Sequence, residues 1–188
     1  MTTTETTATA AVRGRRARPR TRAWLAALAV IAAIVAGYAV WANTQPYTLQ
    51  ASVQIAATPQ RVWAVLTDLP AYRHWNPFIV SSSGRVQVGA TLVNRMHDAT
   101  GDTTFTPTVL AVEPGRELRW IGRVGPGGIF DGEHTFTIRQ IRPGLVLFTQ
   151  REDFTGVAVP FLEGRLHADT LPQFRAMNAA LAREAAHR

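Results

Sequence analysis

The sequence predicts an α+β fold, in which one transmembrane helix precedes a curved antiparallel sheet closed by a long C-terminal helix. Three observations predict it. An apolar run at residues 24–41 contains no charged side chain. The middle of the chain is a series of short segments separated by Pro/Gly turns, which is typical of an antiparallel meander. The final segment carries apolar side chains at helical spacing.

The apolar run is long enough to cross a bilayer, which takes about 17–25 helical residues. Trp24 at its start and Tyr38 and Trp41 at its end occupy the places of interfacial aromatic anchors. Arginines cluster directly before it, at positions 13, 15, 16, 18, 20 and 22. By the positive-inside rule the N-terminus is cytoplasmic, and we expect a single-pass protein of a bacterial cell membrane with its domain on the extracytoplasmic side.

The predicted organisation follows from this run. Residues 1–22 form a basic disordered tail, 23–42 the transmembrane helix, 43–46 a linker and 47–188 one folded domain. A cleaved signal peptide stays open as an alternative, because the triplets at 37–39 and 40–42 put small or tolerated residues at the positions that a signal peptidase reads. The apolar region of a signal peptide, however, normally spans only about 7–15 residues. A twin-arginine signal and a buried soluble helix fit the pattern less well.

Charge and cysteine content exclude several function classes. The formal charge of +7 comes largely from the six tail arginines, and residues 43–188 hold fourteen Arg against twelve Asp or Glu. A nucleic-acid surface needs basic residues clustered on the folded domain, so none is expected. The chain has no Cys, which excludes disulfides, Cys nucleophiles and Cys metal sites. Glu163, His167 and Asp169 lack a second His at helical spacing, and we expect neither a metal nor a cofactor.

The domain begins with a strand and two short helices. Residues 47–55 alternate between apolar and polar side chains, as a half-buried strand does. Thr58 and Pro59 form a helix start, with Thr58 as N-cap and Pro59 at the first position, where its missing N–H costs nothing. A second short helix covers 70–74 and ends at Asn76-Pro77, because the residue before proline is pushed out of the helical region.

Six further strands and a helix complete the domain. The strands are predicted at residues 78–86, 91–97, 104–112, 117–124, 130–141 and 145–154. The last helix carries its apolar face from 161 to 181 and is interrupted by Pro172, so that it either restarts near Asp169 and Thr170 or is kinked. A sheet with one apolar face must cover it, and a long helix across a curved sheet leaves a cavity between them.

Five segments carry a resemblance to a known family. They are IAATPQRVW at 55–63, YRHWNPFI at 72–79, HTF at 134–136, EDFTG at 152–156 and FRAMNAAL at 174–181. With the order of elements, they make residues 47–185 resemble the START-like (SRPBCC, Bet v 1-like) superfamily, and within it the polyketide cyclase/dehydrase-like group. The N-terminal anchor and Pro172 depart from the common pattern.

The resemblance implies a helix-grip fold, a sheet of about seven strands wrapped around the C-terminal helix and enclosing a deep apolar cavity. Members of the superfamily bind lipids, sterols, polyketides or plant hormones, and a minority catalyse cyclisation or dehydration. No obligatory catalytic motif accompanies the fold, so function has to be argued from the cavity itself.

Alternation along the strands predicts which side chains face that cavity. His134 shares a face with Phe136, and Glu152 shares one with Phe154. His134 and Glu152 are candidate catalytic residues, as general base and orienting carboxylate. The candidate ligand-binding residues are Asn94, Met96, Trp120, His134, Phe136, Phe148, Gln150 and Glu152.

Three functions stay open at this point. The first is a membrane-anchored domain that binds an apolar small molecule, lipid-like or polyketide-like, with polar residues fixing one end of it. The second is a cyclase/dehydrase-type enzyme that uses His134 with Glu152. The third is a structural or partner-binding domain without a ligand. Nothing in the sequence indicates an oligomeric state.

Overall fold

The structure is a computed structural model that describes residues 19–98 and 101–186. The chain divides into two compact units, Met1–Gly37 and Tyr38–Arg188. The predicted disordered tail lies mostly outside the described residues. Within them, one helix is long and apolar enough to cross a bilayer, a test that a signal sequence would also pass.

That helix, α1, runs from Pro19 to Thr44. It therefore includes Asn43 and Thr44, two residues that the sequence places in a linker. Both side chains bond back into the helix: Asn43 Nδ2 donates to the Ala39 carbonyl at 2.8 Å and Thr44 Oγ1 to the Val40 carbonyl at 2.9 Å. These bonds replace some of the partners that water would otherwise supply at the end of a helix.

In the described part of the chain, eight strands form two antiparallel sheets. In chain order they are β1 Tyr47–Ile55, β2 Ile79–Ser83, β3 Val93–Asp98, β4 Gly101–Phe105, β5 Thr108–Glu113, β6 Glu117–Arg123, β7 Asp131–Arg142 and β8 Leu145–Thr155. The larger sheet has the order β1-β8-β7-β6-β5 and the smaller one β2-β3-β4. An isolated bridge between Thr91 and Thr108 and a bond from the Leu92 N–H to the Pro107 carbonyl at 2.9 Å join them.

The single strand predicted at 104–112 is wrong, because the chain forms β4 and β5 there. The break falls at Thr106 and Pro107. Proline has no N–H to donate to a ladder, and it restricts the residue before it. The chain uses this break to pass from the small sheet to the large one.

Two helices and a 3-10 turn follow β1 in the sequence. Helix α2 spans Pro59–Thr67 with Thr58 as N-cap, whose Oγ1 accepts from the Arg61 N–H at 3.2 Å, as predicted. A 3-10 turn at Leu69–Ala71 and helix α3 at Tyr72–Trp75 follow. The Asn76 side chain then turns the chain into β2, because its Oδ1 accepts from the Phe78 and Ile79 N–H groups at 3.0 and 2.9 Å.

The last helix, α4, is continuous from Glu163 to Ala186 after a 3-10 turn at Val159–Phe161. The prediction that it restarts near Asp169 and Thr170 is wrong. Pro172 removes the bond to the Ala168 carbonyl, but the residues around Ala168 are exposed, so water can take the place of the missing donor. The apolar face of α4 packs on the concave face of the large sheet, chiefly against β1.

The core lies between α4 and this sheet. Its largest fully buried side chains are Tyr72, Phe136, Phe148, Phe174, Ile55, Leu66, Ile79, Leu92, Leu118, Met177, Leu181 and His134. The Tyr72 hydroxyl donates to the Leu66 carbonyl at 2.6 Å, and burial raises the pKa of this hydroxyl. All but His134 are side chains typical of a packed interior.

Candidate functional site

A pocket of about 300 Å³ lies between the large sheet, the small sheet and the beginning of α4. Much of it follows from two glycines. Gly122 on β6 and Gly132 on β7 are cross-strand partners, and both line the pocket. A Cβ on Gly122 would meet no atom within 4 Å. The missing side chain of Gly122 therefore leaves part of the concave face uncovered.

Three predicted site residues lie in one row across the sheet beside these glycines. Trp120, His134 and Glu152 are register partners on β6, β7 and β8, and all three line the pocket. His134 Nδ1 lies 3.4 Å from Glu152 Oε2. Because a carboxylate oxygen only accepts, it favours the imidazole tautomer with the proton on Nδ1, which leaves Nε2 as an acceptor. Nε2 is buried and has no hydrogen-bond partner among the described residues.

Gly132 makes room for the Glu152 carboxylate. A Cβ at this position would lie 2.6 Å from Glu152 Oε1. The glycine thus serves the geometry of the pair as well as the pocket, since any larger residue would force the carboxylate to move.

Aromatic rings surround the imidazole of His134. Its centroid lies 4.4 Å from Phe136, 5.0 Å from Phe174 and 5.5 Å from Trp120. Only 1% of the side chain is exposed. Such a surrounding excludes water and strengthens any polar interaction that the ring makes.

The small sheet supplies the opposite wall. Asn94 and Met96 on β3 line the pocket, as does Phe105 on β4. The Asn94 amide is buried and its Oδ1 accepts from the Ser82 hydroxyl at 2.7 Å. That bond fixes the orientation of the amide.

The remaining predicted site residues lie in the core. Phe136, Phe148 and Gln150 are fully buried and do not line this pocket. Within residues 19–98 and 101–186, neither polar atom of the Gln150 side chain has a hydrogen-bond partner. Its register partner is Ala51, whose carbonyl accepts from Asn178 Nδ2 at 3.0 Å, so two buried amides flank one residue of β1.

Sequence reasoning missed three groups of lining residues. They come from β4 and the segment after it, from the end of β6 and the loop after it, and from the start of α4 with the residue before it: Thr103, Phe105, Pro107, Arg123, Val124, Phe130, Leu162, Arg165, Leu166, Asp169 and Thr170. The strand alternation used for the prediction covers strands alone. The two glycines were a usable signal, because a glycine inside a strand often marks a place where another group approaches.

The donor set offers no metal site. Among residues 19–98 and 101–186 no group of three His, Cys, Asp or Glu side chains could hold an ion. What the arrangement can do is bind an apolar body against aromatic and aliphatic walls while a carboxylate, an imidazole and an amide meet its polar end.

The comparisons with known proteins identify the domain. Residues 46–186 match the family model described as polyketide cyclase / dehydrase and lipid transport. No curated protein matches the chain. The match starts after α1, so the apolar helix lies outside the family's common region.

Solved structures share the fold. The Zhui aromatase/cyclase from Streptomyces sp. R1128 is 16% identical with a TM-score of 0.62, covering 75% of this chain and 94% of its own. A START superfamily protein from Mycobacterium smegmatis is 18% identical with a TM-score of 0.56, covering 72% and 97%. Truncated norcoclaurine synthase from Thalictrum flavum is 12% identical with a TM-score of 0.59, covering 78% and 97%. At these identities the likeness is one of fold.

Proposed function

We propose a ligand-binding function for this chain, which belongs to the polyketide cyclase / dehydrase and lipid transport family. The family resemblance and the fold class predicted from the sequence are confirmed by this match and by the START-like neighbours. The function proposed is that of a membrane-anchored domain that binds one apolar small molecule, lipid-like or polyketide-like, in the pocket under α4. The observation that carries it is the hollow beside Gly122 and Gly132.

The walls of the pocket support an apolar ligand. Trp120, Phe105, Phe130 and Phe154 line it together with aliphatic side chains. Each Å² of apolar surface removed from water contributes about 25 cal/mol before ordering costs. Asn94, His134 and Glu152 would meet the polar end of the ligand, and Gln150 lies behind them.

Helix α1 supports membrane anchorage. Its length and composition suit a span, and the arginines before it favour a cytoplasmic N-terminus with the domain on the other side of a bacterial cell membrane. A cleaved signal peptide would leave the same domain free on that side. Comparing the mass of the protein extracted from membranes with that of the full chain separates the two.

A mass measurement of the bound molecule tests the ligand proposal. We expect native mass spectrometry of the detergent-extracted full chain to show a bound molecule that denaturation releases. Gly122→Leu should lose it, because the new side chain enters open pocket space. The matched control is Gly164→Leu, at a glycine on α4 whose Cβ also meets nothing but which does not line the pocket.

Two results would contradict the ligand proposal. One is a wild-type chain that carries nothing under these conditions. The other is a folded Gly122→Leu variant that carries as much as the wild type. Either would favour a structural or partner-binding domain whose pocket has no ligand.

An enzyme of cyclase/dehydrase type is a second candidate, favoured by the unpartnered His134 Nε2. This nitrogen could take a proton from a carbon next to a carbonyl group, and the Glu152 carboxylate would stabilise the imidazolium that forms. The resulting enolate carbon could then form a C–C bond with a second carbonyl carbon of the same chain, which closes the ring, and the imidazolium would return its proton to the alkoxide oxygen. Loss of this hydroxyl with a hydrogen from the neighbouring carbon, as water, would leave a double bond in the ring.

A linear poly-β-ketoacyl thioester is a suitable probe for this activity. If the chain is an enzyme, it converts the thioester to a cyclised product seen by liquid chromatography and mass spectrometry. His134→Gln should then lower the rate about 100-fold or more, the usual contribution of a general base. Binding of the thioester without turnover by either form would remove the enzyme function and leave the ligand-binding one.

A further inference from the structure

The last residues of α1, from Tyr38 onward, are bound to two loops of the domain. The Tyr38 hydroxyl donates to the Val157 carbonyl at 2.7 Å, and the Gly156 N–H donates to the Ala42 carbonyl at 2.9 Å. Asn43 Nδ2 adds a bond of 3.3 Å to the Gly128 carbonyl. Ala42 is only 2% exposed, so the segment is packed as well as hydrogen-bonded.

The same two loops form the edge of the pocket. We call residues 123–130 and 156–162 the rim; Arg123, Val124, Phe130 and Leu162 of the rim line the pocket. The loops are bonded to each other through the Val157 N–H and the Gly128 carbonyl at 3.0 Å. The same two loops thus bind the end of α1 and line the pocket.

Backbone packing holds the two loops together at Gly156. A Cβ there would clash with the Ile129 carbonyl oxygen, and φ is +121°. Only glycine allows this approach. The rim is therefore a defined surface rather than two independent loops.

Apolar side chains project from the rim into solvent. Phe161 is 81% exposed, and its ring lies 6.3 Å from that of Tyr38. Ile129 and Val124 are exposed as well, and so is Trp41 on the docked segment. A cluster of exposed apolar residues around one place marks an interaction surface.

We infer that the rim is a bilayer-contact surface and that the pocket opens onto the bilayer that α1 spans. The inference rests on the membrane anchorage proposed above. Tyr38 and Trp41 end the apolar run and belong at the interface of the bilayer with water. The rim residues that contact Tyr38 then lie at that interface as well. Apolar side chains there are buried about 5–10 Å into the boundary between lipid headgroups and acyl chains.

Single-cysteine labelling tests the inference, because the chain has no Cys of its own. Ile129→Cys reports the rim, and Ile141→Cys is its matched control, since the two isoleucines are 41% and 43% exposed. Ile141 lies near the far end of β7, ten residues from Asp131, which is about 30 Å of strand at 3.3 Å per residue.

The full chain with an NBD fluorophore at either site would be placed in nanodiscs of phosphatidylcholine and phosphatidylglycerol. We expect nitroxide-labelled lipid to quench the label at 129 at least twofold more than the label at 141. Val124 lines the pocket. If the pocket opens onto the bilayer, a label at Val124→Cys should be quenched as strongly as the label at 129. A label at Phe161→Cys repeats the rim measurement should the change at 129 disturb the loop.

Equal quenching at 129, 161 and 141 would overturn the inference while leaving ligand binding and anchorage intact. A chain that does not enter nanodiscs through α1 would overturn both the inference and the proposed anchorage. Retention of a bound molecule, measured separately by mass spectrometry, is independent of either result.

Discussion

The two halves of α4 lie on the same sheet and have opposite surroundings. From Leu171 to Ala185, the inward side chains are buried in a solid core. Before Leu171, the side chains of Leu166, Asp169 and Thr170 line the pocket instead. The C-terminal half of α4 is therefore part of the packed core, whereas its N-terminal half covers the pocket.

The strands beneath explain the difference. Under the packed half, β8 presents Val146 and Phe148, both fully buried. Under the roofing half, β6 and β7 present the partnered glycines Gly122 and Gly132. The hollow thus arises where the sheet lacks side chains, while the helix above stays regular. Substitutions in the C-terminal half of α4 should therefore affect mainly stability, and substitutions in its N-terminal half mainly ligand retention.

The largest contrast is expected from one substitution made in each half. Leu181→Ala empties a fully buried site and should lower the free energy of unfolding by about 2–5 kcal/mol. Leu166→Ala, at a half-buried site against the pocket, should cost about 1 kcal/mol or less. Guanidinium unfolding of the full chain in detergent, followed by Trp fluorescence, measures both.

Ligand retention should reverse the order of the two variants. Leu166→Ala changes a wall of the pocket, and we expect it to weaken retention, whereas Leu181→Ala should leave the retained amount unchanged in the folded fraction. Equal losses of stability in the two variants would mean that the N-terminal half is packed as tightly as the other.

A smaller contrast is expected from the two buried amides near Ala51. Asn178 donates to the Ala51 carbonyl, so Asn178→Leu should cost about 1–3 kcal/mol. The Gln150 amide has no hydrogen-bond partner among the described residues, so Gln150→Met removes two unsatisfied groups and should be neutral or stabilising. The same unfolding assay checks this. A large loss in Gln150→Met would show that its amide is partnered in solution, by water or by a ligand.

Much of the fold could be predicted from the sequence because its signals are local. Thr58-Pro59 and Asn76-Pro77 set boundaries through bonds within three residues, and both are where the pattern puts them. The division of the strands into two sheets was not predictable in this way. It depends on the Pro107 carbonyl accepting a hydrogen bond from the Leu92 N–H, which pairs two residues far apart in the sequence.

The candidate site, too, could be predicted only where the signal is local. Alternation places His134 and Glu152 on one face, and the structure brings them to 3.4 Å. Alternation could not tell that Phe136, Phe148 and Gln150, on the same face, lie outside the pocket. That distinction depends on where α4 ends its close packing, and no strand pattern contains this information.

The smallest effect is expected on the outer face of β8, away from both halves of α4. Burial alone would raise the pKa of Asp153, but hydrogen bonds from Arg151 and Thr48 outweigh it and hold this pKa below its ordinary value. A carboxyl with a lowered folded-state pKa stabilises the fold above the pKa of the unfolded chain, which is about 3.9. The contribution is lost as the pH falls through the folded-state pKa.

Asp153→Asn should therefore be slightly less stable than the wild type at pH 7, and the difference should shrink as the pH falls below the unfolded-state pKa of about 3.9. Unfolding midpoints of the two proteins between pH 7 and pH 2.5 measure it. Ligand retention at pH 7 should be the same in both. A difference that grows on acidification would contradict the lowered pKa.

Pro172 gives α4 a built-in point of weakness between its two halves. The carbonyl of Ala168 has no helical donor, so the turn there is held by fewer bonds than its neighbours. Local opening begins where bonds are few, and here it can unwind the first turns while the buried part stays in register. For the ligand proposed above, unwinding of these first turns would widen the way into the pocket while the core under the C-terminal half of α4 stays packed.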